Sequence, residues 1–253
     1  PDHSLVGSEM CIRDSIPAED CVDPDGEPLK TDQRGVARPQ GPACDSGAFE
    51  AEEVSASVTG AVTYAGSGMP AEGATVSVRG TPISAVTDAT GEFTLDVPVG
   101  STFFEVSKDG SWGQIELVTV PTSGDLRFEL VEDSVVAEVE DALMIDFSEA
   151  LGVVDVIFDA PSGLGGETAT LSVSHDSSLT FDAGEQPVLS SELLPAGGED
   201  LVFVGVDLTG ELTVSPMGVG GVNTCALENP GAAYPVLAKF FTRVRQVRCT
   251  PLP

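Results

Sequence analysis

Residues 73–79, with the sequence GATVSVR, alternate apolar and polar side chains. Successive side chains of a β-strand point to opposite faces, so Ala74, Val76 and Val78 would share one face and the polar residues between them the other. Such a strand has one face in a core and one face in water. The stretch therefore predicts a strand of an antiparallel sheet.

Segments of the same character surround this stretch at the short, regular spacing of an all-β sandwich. Turns such as Gly66-Ser67-Gly68 and Asp88-Ala89-Thr90-Gly91 separate them, and their glycines supply the positive φ that a tight turn needs. We predict a β-sandwich over residues 54–131. Its strands lie near 57–64, 73–79, 83–87, 92–97, 102–108, 114–120 and 125–131.

A second series of strand-like segments begins after residue 152. Residues 166–173 (GETATLSV) echo residues 73–78 (GATVSV), which indicates a diverged second copy of the same sandwich over 153–253. Its strands are predicted near 153–159, 167–174, 178–182, 186–190, 200–206, 210–215 and 239–248.

Between the two series the period of the apolar residues changes to three or four, which is typical of an amphipathic helix. Asp133 or Ser134 can cap its start, and Gly152 can end it. We expect a connecting helix within residues 132–152 that packs against a neighbouring sandwich. Its apolar stripe is Val136, Val139, Leu143, Phe147 and Leu151.

Four separated pieces of residues 54–131 form a family pattern. They are Gly60-Ala61-Val62, residues 70–78 (PAEGATVSV), residues 87–95 (TDATGEFTL) and Val97-Pro98-Val99-Gly100. Together they resemble a carboxypeptidase regulatory-like domain. The resemblance implies a transthyretin-like β-sandwich and a non-catalytic accessory role, with Phe93 and Leu95 in the core.

The first fifteen residues, PDHSLVGSEMCIRDS, resemble the conceptual translation of a sequencing adapter. We therefore exclude residues 1–15, including His3 and Cys11, from the fold. Residues 16–53 show no sustained period of two or of about 3.6 residues, which predicts a loop. We thus expect an all-β fold of two consecutive Ig/transthyretin-like sandwiches, joined by a short amphipathic helix and preceded by a loop-like segment.

Residues 16–53 also carry short motifs that stand close together. They are Asp32-Gln33-Arg34-Gly35, Arg38-Pro39 and residues 44–50 (CDSGAFE). These motifs resemble the closing signature of choice-of-anchor Q surface proteins, which are right-handed parallel β-helices. The resemblance implies the truncated end of a β-helix plus a linker, with a covalently continuous upstream β-helix domain as a partner. Arg34 and Arg38 would either contact a ligand, or bind the last carbonyls and pair with Asp45 and Glu50.

The charge of the chain restricts its partners. Lys and Arg total 11 against 41 Asp and Glu, a formal net charge of −30, which repels nucleic-acid phosphates and anionic membrane surfaces. A solvated acidic surface explains the acids, and a structural Ca²⁺ ion is the alternative. No apolar run approaches the ~18 residues of a membrane-spanning helix, so we expect no membrane insertion.

Cysteine usage points to an oxidising compartment. Of the five cysteines, removal of Cys11 leaves four, and an even number without metal-site spacing is typical of disulfides in exported chains. Pairing within neighbours is the simplest connectivity, which gives Cys225 with Cys249 and Cys21 with Cys44. We therefore predict an extracellular or bacterial cell-surface location.

The inventory of reactive groups is thin for an enzyme. His175 stands beside Asp176 and Ser177, but adjacent residues of a strand or turn point in different directions. The sequence contains no Gly-x-Ser-x-Gly elbow, P-loop or His-Glu-x-x-His motif, and one remaining histidine cannot build an ordinary catalytic zinc site. We predict neither catalysis nor a cofactor, and place His175 on a surface turn.

Two non-catalytic functions remain. The chain could be a spacer or anchoring module of a larger secreted or surface protein, or a carbohydrate- or protein-binding accessory module of an extracellular enzyme. Trp112, in a predicted loop, is the candidate ligand contact, since sugar sites use aromatic rings; alternatively it covers the end of the core. Lys108 and Lys239 stand on no first strand, so we predict no isopeptide crosslink.

Overall fold

The computed structural model describes part of the chain. The described residues are 16–17, 20–23, 26–40, 43–46, 49–50, 54–159, 165–181, 186–190, 192–196, 198–208 and 212–252. They belong to two compact units, one comprising the described residues up to Ala56 with Asp96–Val99, the other those of Ser57–Leu95 and Gly100–Pro253. The adapter-like residues 1–15 lie outside the described part.

The first unit has little regular structure. Strands β1 (Ile16–Pro17) and β2 (Ala43–Cys44) form a short antiparallel pair, and isolated bridges join Val22 to Pro28 and Thr31 to Ala37. Most other described residues of 16–50 lie in turns and irregular segments, as the lack of periodicity predicts.

All seven strands predicted for 54–131 are present, with bounds that differ by at most three residues. They are β3 (Ser55–Tyr64), β4 (Thr75–Val78), β5 (Ser84–Val86), β6 (Glu92–Pro98), β7 (Gly100–Ser107), β8 (Ser111–Val120) and β9 (Leu126–Glu132). The alternation in β4 is confirmed, because Ala74, Val76 and Val78 are buried while Thr75 is exposed. The second turn is also confirmed, with Gly91 at φ +78°; a Cβ there would lie 2.5 Å from the carbonyl oxygen of Val62.

The connecting helix is shorter than predicted. Helix α1 (Asp133–Leu143) ends where Met144 adopts φ 55° and ψ 42°, so the expected continuation to Gly152 is wrong. The N-cap is Glu132, with no side-chain capping bond, rather than Asp133 or Ser134. The packing prediction is confirmed, because Val136 is buried with Trp112 and Val153 in one apolar cluster.

The second half contains eight strands. They are β10 (Gly152–Asp159), β11 (Thr168–Leu171), β12 (Ser177–Phe181), β13 (Pro187–Leu189), β14 (Asp200–Val206), β15 (Val214–Met217), β16 (Asn223–Leu227) and β17 (Phe240–Pro251). The prediction missed β16 and placed β15 at 210–215, four residues early at its start. The mostly β, sandwich-like architecture is as expected.

Strand β17 joins the two halves into one sheet. It pairs in parallel with β10 of the second half and with β8 of the first, in the order β13-β12-β14-β10-β17-β8-β7-β4-β5. Strand β3 runs parallel to β9, and β9 runs antiparallel to β8. The halves are therefore connected by backbone hydrogen bonds as well as by α1.

Apolar clusters cover the shared sheet on both faces. Val154 and Phe158 of β10 enter the larger cluster, which fills the second half and also receives Phe103 and Leu117 from the first. Val153 enters the smaller cluster beneath α1. Burial on both faces explains why β10 and β14 are almost continuously apolar instead of alternating.

Candidate functional site

Both predicted disulfides are present. Cys225 and Cys249 lie directly opposite each other on β16 and β17, and close a loop with a sequence separation of 24. Cys21 and Cys44 are joined across a separation of 23 in the first unit. The first bond fastens a unit with little regular structure, and the second links two strands that are already paired, so both serve the architecture.

Trp112, the candidate ligand contact, does not lie at the surface. It belongs to β8 rather than a loop, and is 2 % exposed. Its ring meets Phe147 edge-on at a centroid distance of 6.0 Å and Phe241 at 5.8 Å. The burial matches the alternative that Trp112 closes the core, because a ligand at the surface cannot reach the ring in this arrangement.

His175 is half-buried in the irregular segment between β11 and β12. Its Nε2 lies 3.2 Å from Oε1 of Glu192, and its ring packs edge-on against Phe203. Ser177 and Ser190 line the same 660 Å³ depression, yet among the described residues no hydroxyl hydrogen-bonds to the imidazole. The nucleophile–base contact of a serine hydrolase is therefore not formed by the described residues.

The two arginines of the first unit bind its own backbone and acids. Arg34 donates to the carbonyl oxygen of Glu50 at 2.5 Å and pairs with Asp32. Arg38 lies 3.3 Å from the Glu50 carboxylate and donates to the Asp45 carbonyl. Although burial opposes it, hydrogen bonds from the Glu50 N–H and from Arg34 hold the pKa of Asp32 well below its usual range. These contacts match the structural alternative for Arg34 and Arg38.

In the second unit, the side chain of Gln114 lies between strands β8 and β9. Strands β8 and β9 pair at Ser111 with Glu132 and at Trp112 with Val131, and beyond that point they diverge. The buried Gln114 fills the gap, accepting a hydrogen bond from the Glu129 N–H at its Oε1 at 2.7 Å. Trp112 and Gln114, two positions apart on β8, point to the same face of the sheet.

Charged residues fill this face beyond the gap. Arg243 of β17 donates from Nε to Asp155 of β10 at 3.1 Å, and from its terminal nitrogen to Glu129 of β9, also at 3.1 Å. Arg245, two residues further along β17, lies with Nε 3.0 Å from Glu116 of β8. The face is thus apolar near α1 and ionic further along the same strands.

Burial shifts the pKa values of the acids in this network. Desolvation raises the pKa of Asp155 and of Glu116, against the attraction of the two arginines. Desolvation also raises the pKa of Asp200 to about 6, and the neighbouring Asp155 carboxylate adds to that shift. Ionisation of these three carboxyl groups, on three strands, therefore costs more in the folded chain than in water.

Residues of β3, β9 and β17 enclose a cleft of about 270 Å³ beside this network. We call it the arginine cleft, and it is lined by Ala61, Thr63, Arg127, Glu129 and Arg245. Glu129 is already bound to Arg243, and Arg245 touches Glu116. Arg127 is exposed, and no acid of the described residues pairs with it.

Both lysines of the sandwich region line a second depression, of about 480 Å³. Lys239 lies 3.0 Å from both Asp133 and Glu149, and these hydrogen bonds raise its pKa. Lys108 donates to the Glu72 carbonyl and lies over the Tyr64 ring. The contact of Lys239 with two acids neutralises it, so this depression offers less positive charge to a ligand than its composition suggests.

Within the described residues, no group of three or more His, Cys, Asp or Glu is arranged to hold a metal ion. No helix of the described part is long and apolar enough to cross a membrane.

Comparison with known families supports the family resemblance stated for residues 54–131. Residues 57–131 match the carboxypeptidase regulatory-like domain family, in agreement with the four sequence pieces. No curated protein is significantly similar to the chain.

Solved structures with local similarity come from bacterial proteins. A type II cohesin–X-dockerin complex from Acetivibrio cellulolyticus contains a chain with 26 % identity over 29 % of this chain and 51 % of that one, at a TM-score of 0.24. This chain thus spans about half the length of that relative. The shaft pilin SpaA from Lactobacillus rhamnosus GG shows 12 % identity over 79 % of this chain and 99 % of the pilin, at a TM-score of 0.26. The Bacillus anthracis TIE protein shows 10 % identity over 78 % and 34 %, at 0.27.

Proposed function

We propose that this chain is a non-catalytic anchoring or spacer module of a larger secreted or cell-surface protein. The observation that carries the proposal is β17, which is hydrogen-bonded on one side to β10 and on the other to β8. A shared central strand makes the two halves one body that cannot separate without breaking a sheet. A body of that kind suits a part that holds its neighbours in place.

The disulfides and the family match support this role. Disulfides persist in oxidising surroundings outside the cytosol, and both pairs here close short loops. The match at 57–131 is to a family described as regulatory-like. We further propose that the Arg34 and Arg38 contacts to Glu50 finish an upstream parallel β-helix that is covalently continuous with this chain.

A protein-binding accessory role is the second candidate, and the arginine cleft favours it. A carbohydrate site has less support, because the polar-tipped rings are occupied. Trp112 and Tyr234 are buried, and Lys108 lies over Tyr64. Stacking on a pyranose needs a free ring face.

The anchoring proposal is tested by the cooperativity of unfolding. The full chain is unfolded in guanidinium. Trp112 fluorescence reports on β8, the strand of the first half that pairs with β17. Hydrogen exchange of β4 reports on the first half, and hydrogen exchange of β12 reports on the second. One shared midpoint is expected, since β17 belongs to both halves. Two separate transitions would show independent beads and contradict the proposal.

The non-catalytic part is tested separately on esters, peptides and polysaccharides. We expect no turnover. An activity that disappears on His175→Ala, or on removal of a single carboxylate, would contradict it. The alternative explanation of the acidic residues, a bound structural Ca²⁺ ion, is tested by thermal shift, first with EDTA and then with added Ca²⁺.

A further inference from the structure

Arg127, in the arginine cleft, is an unusual residue for so acidic a chain. Acids outnumber Lys and Arg by 41 to 11, and each of the other arginines that the structure describes forms an ion pair. Arg127 has no such partner in the described part of the chain, although it lines the same cleft as Arg245. An arginine kept free amid surplus carboxylates is available to a carboxylate from outside.

The neighbouring ion pairs keep this position free. Asp125 and Glu129 each stand two positions from Arg127, but the Thr59 hydroxyl donates to Asp125, and Arg243 binds Glu129 at 3.1 Å. Arg243 is in turn fixed by Asp155, so Glu129 is held toward the buried network. Arg245 contacts Glu116 through Nε, and its terminal nitrogens make no hydrogen bond to a described residue.

We propose that Arg127 and Arg245 together bind a carboxylate of an Asp or Glu side chain on a protein partner. The planar guanidinium fork matches a carboxylate, and two forks give it charge-assisted hydrogen bonds from both sides. The Thr63 hydroxyl in the cleft wall adds a further donor. This inference adds a ligand site to the second candidate role and does not depend on the anchoring role.

The size and field of the cleft select one carboxylate over larger anions. A volume of about 270 Å³ is below the range of pockets for drug-sized ligands, yet it accommodates one acidic side chain. Glu129 in the wall repels a second negative charge, which disfavours phosphate and sulfate dianions. The net charge of −30 repels a polyanion as a whole.

The lining also favours a protein over an acidic sugar. None of the five lining residues is aromatic, whereas sugar rings are usually held against aromatic faces. Ala61 and Thr63 leave room on the β3 side for the stem of a side chain. A second copy of this chain is disfavoured as the partner, because two bodies of −30 repel each other.

The test uses arginine side-chain NMR on the full chain at low salt. The probe is the blocked peptide acetyl-Gly-Glu-Gly-amide, and the matched control peptide carries Gln in place of Glu. We expect saturable shifts of the Arg127 and Arg245 Nε–H signals with the Glu peptide and none with the Gln peptide. Raising the salt concentration should weaken binding, since the contact is ionic and partly exposed.

Variants separate the site from a general surface effect. Arg127→Gln should weaken Glu-peptide binding by about tenfold or more, and Arg245→Lys should weaken it too, because lysine keeps the charge beside Glu116 but loses the fork. Arg79→Gln, which removes an arginine paired with Glu105, should leave binding unchanged. Circular dichroism checks that each variant is folded.

Several results would overturn the site. They are the absence of saturable shifts, equal loss in Arg79→Gln, and tighter binding of inorganic phosphate or of a galacturonate oligomer than of the Glu peptide. Any of these outcomes leaves the unfolding test of the anchoring role intact, so the two proposals fail separately.

Discussion

Arg243 and Asp155 lie directly opposite each other on the parallel strands β17 and β10, with Nε 3.1 Å from Oδ2. Both side chains are largely buried, at 16 % and 9 % exposure. A buried pair of this kind contributes little net stability compared with an apolar pair, but loss of one partner leaves an uncompensated charge.

The pair can be tested with a double-mutant cycle. Arg243→Met should lower the free energy of unfolding by about 3–5 kcal/mol, and adding Asp155→Leu should recover most of the loss. The control is Arg248→Met, whose side chain is 67 % exposed and pairs with Glu228; it should cost less than about 1 kcal/mol. Equal losses in Arg243→Met and Arg248→Met, measured by urea unfolding, would contradict the assigned burial.

Asp200 should make stability depend on pH in the direction opposite to a salt-bridged acid. Its folded pKa is about 6, above the ~3.9 of an unfolded aspartate, so the folded state binds the proton more tightly. The resulting penalty is present above pH 6 and disappears as the pH falls toward 4. Asp200→Asn should therefore raise the melting temperature at pH 8 and change it little at pH 4. Asp141→Asn, on the exposed face of α1, serves as the control and should show no such trend; a constant Asp200→Asn effect at all pH values would contradict the prediction.

The disulfide of the second half should stabilise the fold by restricting the unfolded chain. In the chain-entropy model a loop with a separation of 24 corresponds to about 3.5 kcal/mol. Cys225→Ser with Cys249→Ser should lower the unfolding free energy by an amount of that order. Non-reducing peptide mapping should recover a Cys225–Cys249 peptide from the wild type, and free thiols at both positions would refute the bond.

The end of α1 offers a stabilising substitution. Met144 holds a left-handed backbone conformation at φ 55° and is 93 % exposed, so it pays a steric cost without packing in return. Met144→Gly should raise the unfolding free energy by about 1 kcal/mol, because glycine is the preferred residue at this position. Met69→Gly is the control, since Met69 is also exposed but has no positive φ. We expect it to be neutral or destabilising, and the same gain in both variants would disprove the explanation.

The strands of 54–131 were predictable because one buried face imposes a period of two, as in Ala74, Val76 and Val78. The helix was overextended because Phe147 continues the apolar period although it lies in an irregular segment, where it packs on Trp112. Strand β16 was missed because its place is set by pairing with β17, on which Cys225 meets Cys249.

The expectation that Trp112 lies in a loop is wrong for a different reason. The residues before it, Asp109 and Gly110, do form the turn, with Gly110 at φ +79°, but the strand begins immediately afterwards at Ser111. The ionic network was invisible in the sequence, because Arg243 lies 88 positions from Asp155 and 114 from Glu129. Only the folded sheet brings such residues together.

The strand directions determine where the polypeptide enters and leaves this body. Strand β3 is parallel to β9, β9 is antiparallel to β8, and β8 is parallel to β17, so β3 and β17 run in opposite directions. The start of β3 and the finish of β17 consequently face the same end of the fold. Segments joined to the sheet at those two points are therefore connected to it at the same end.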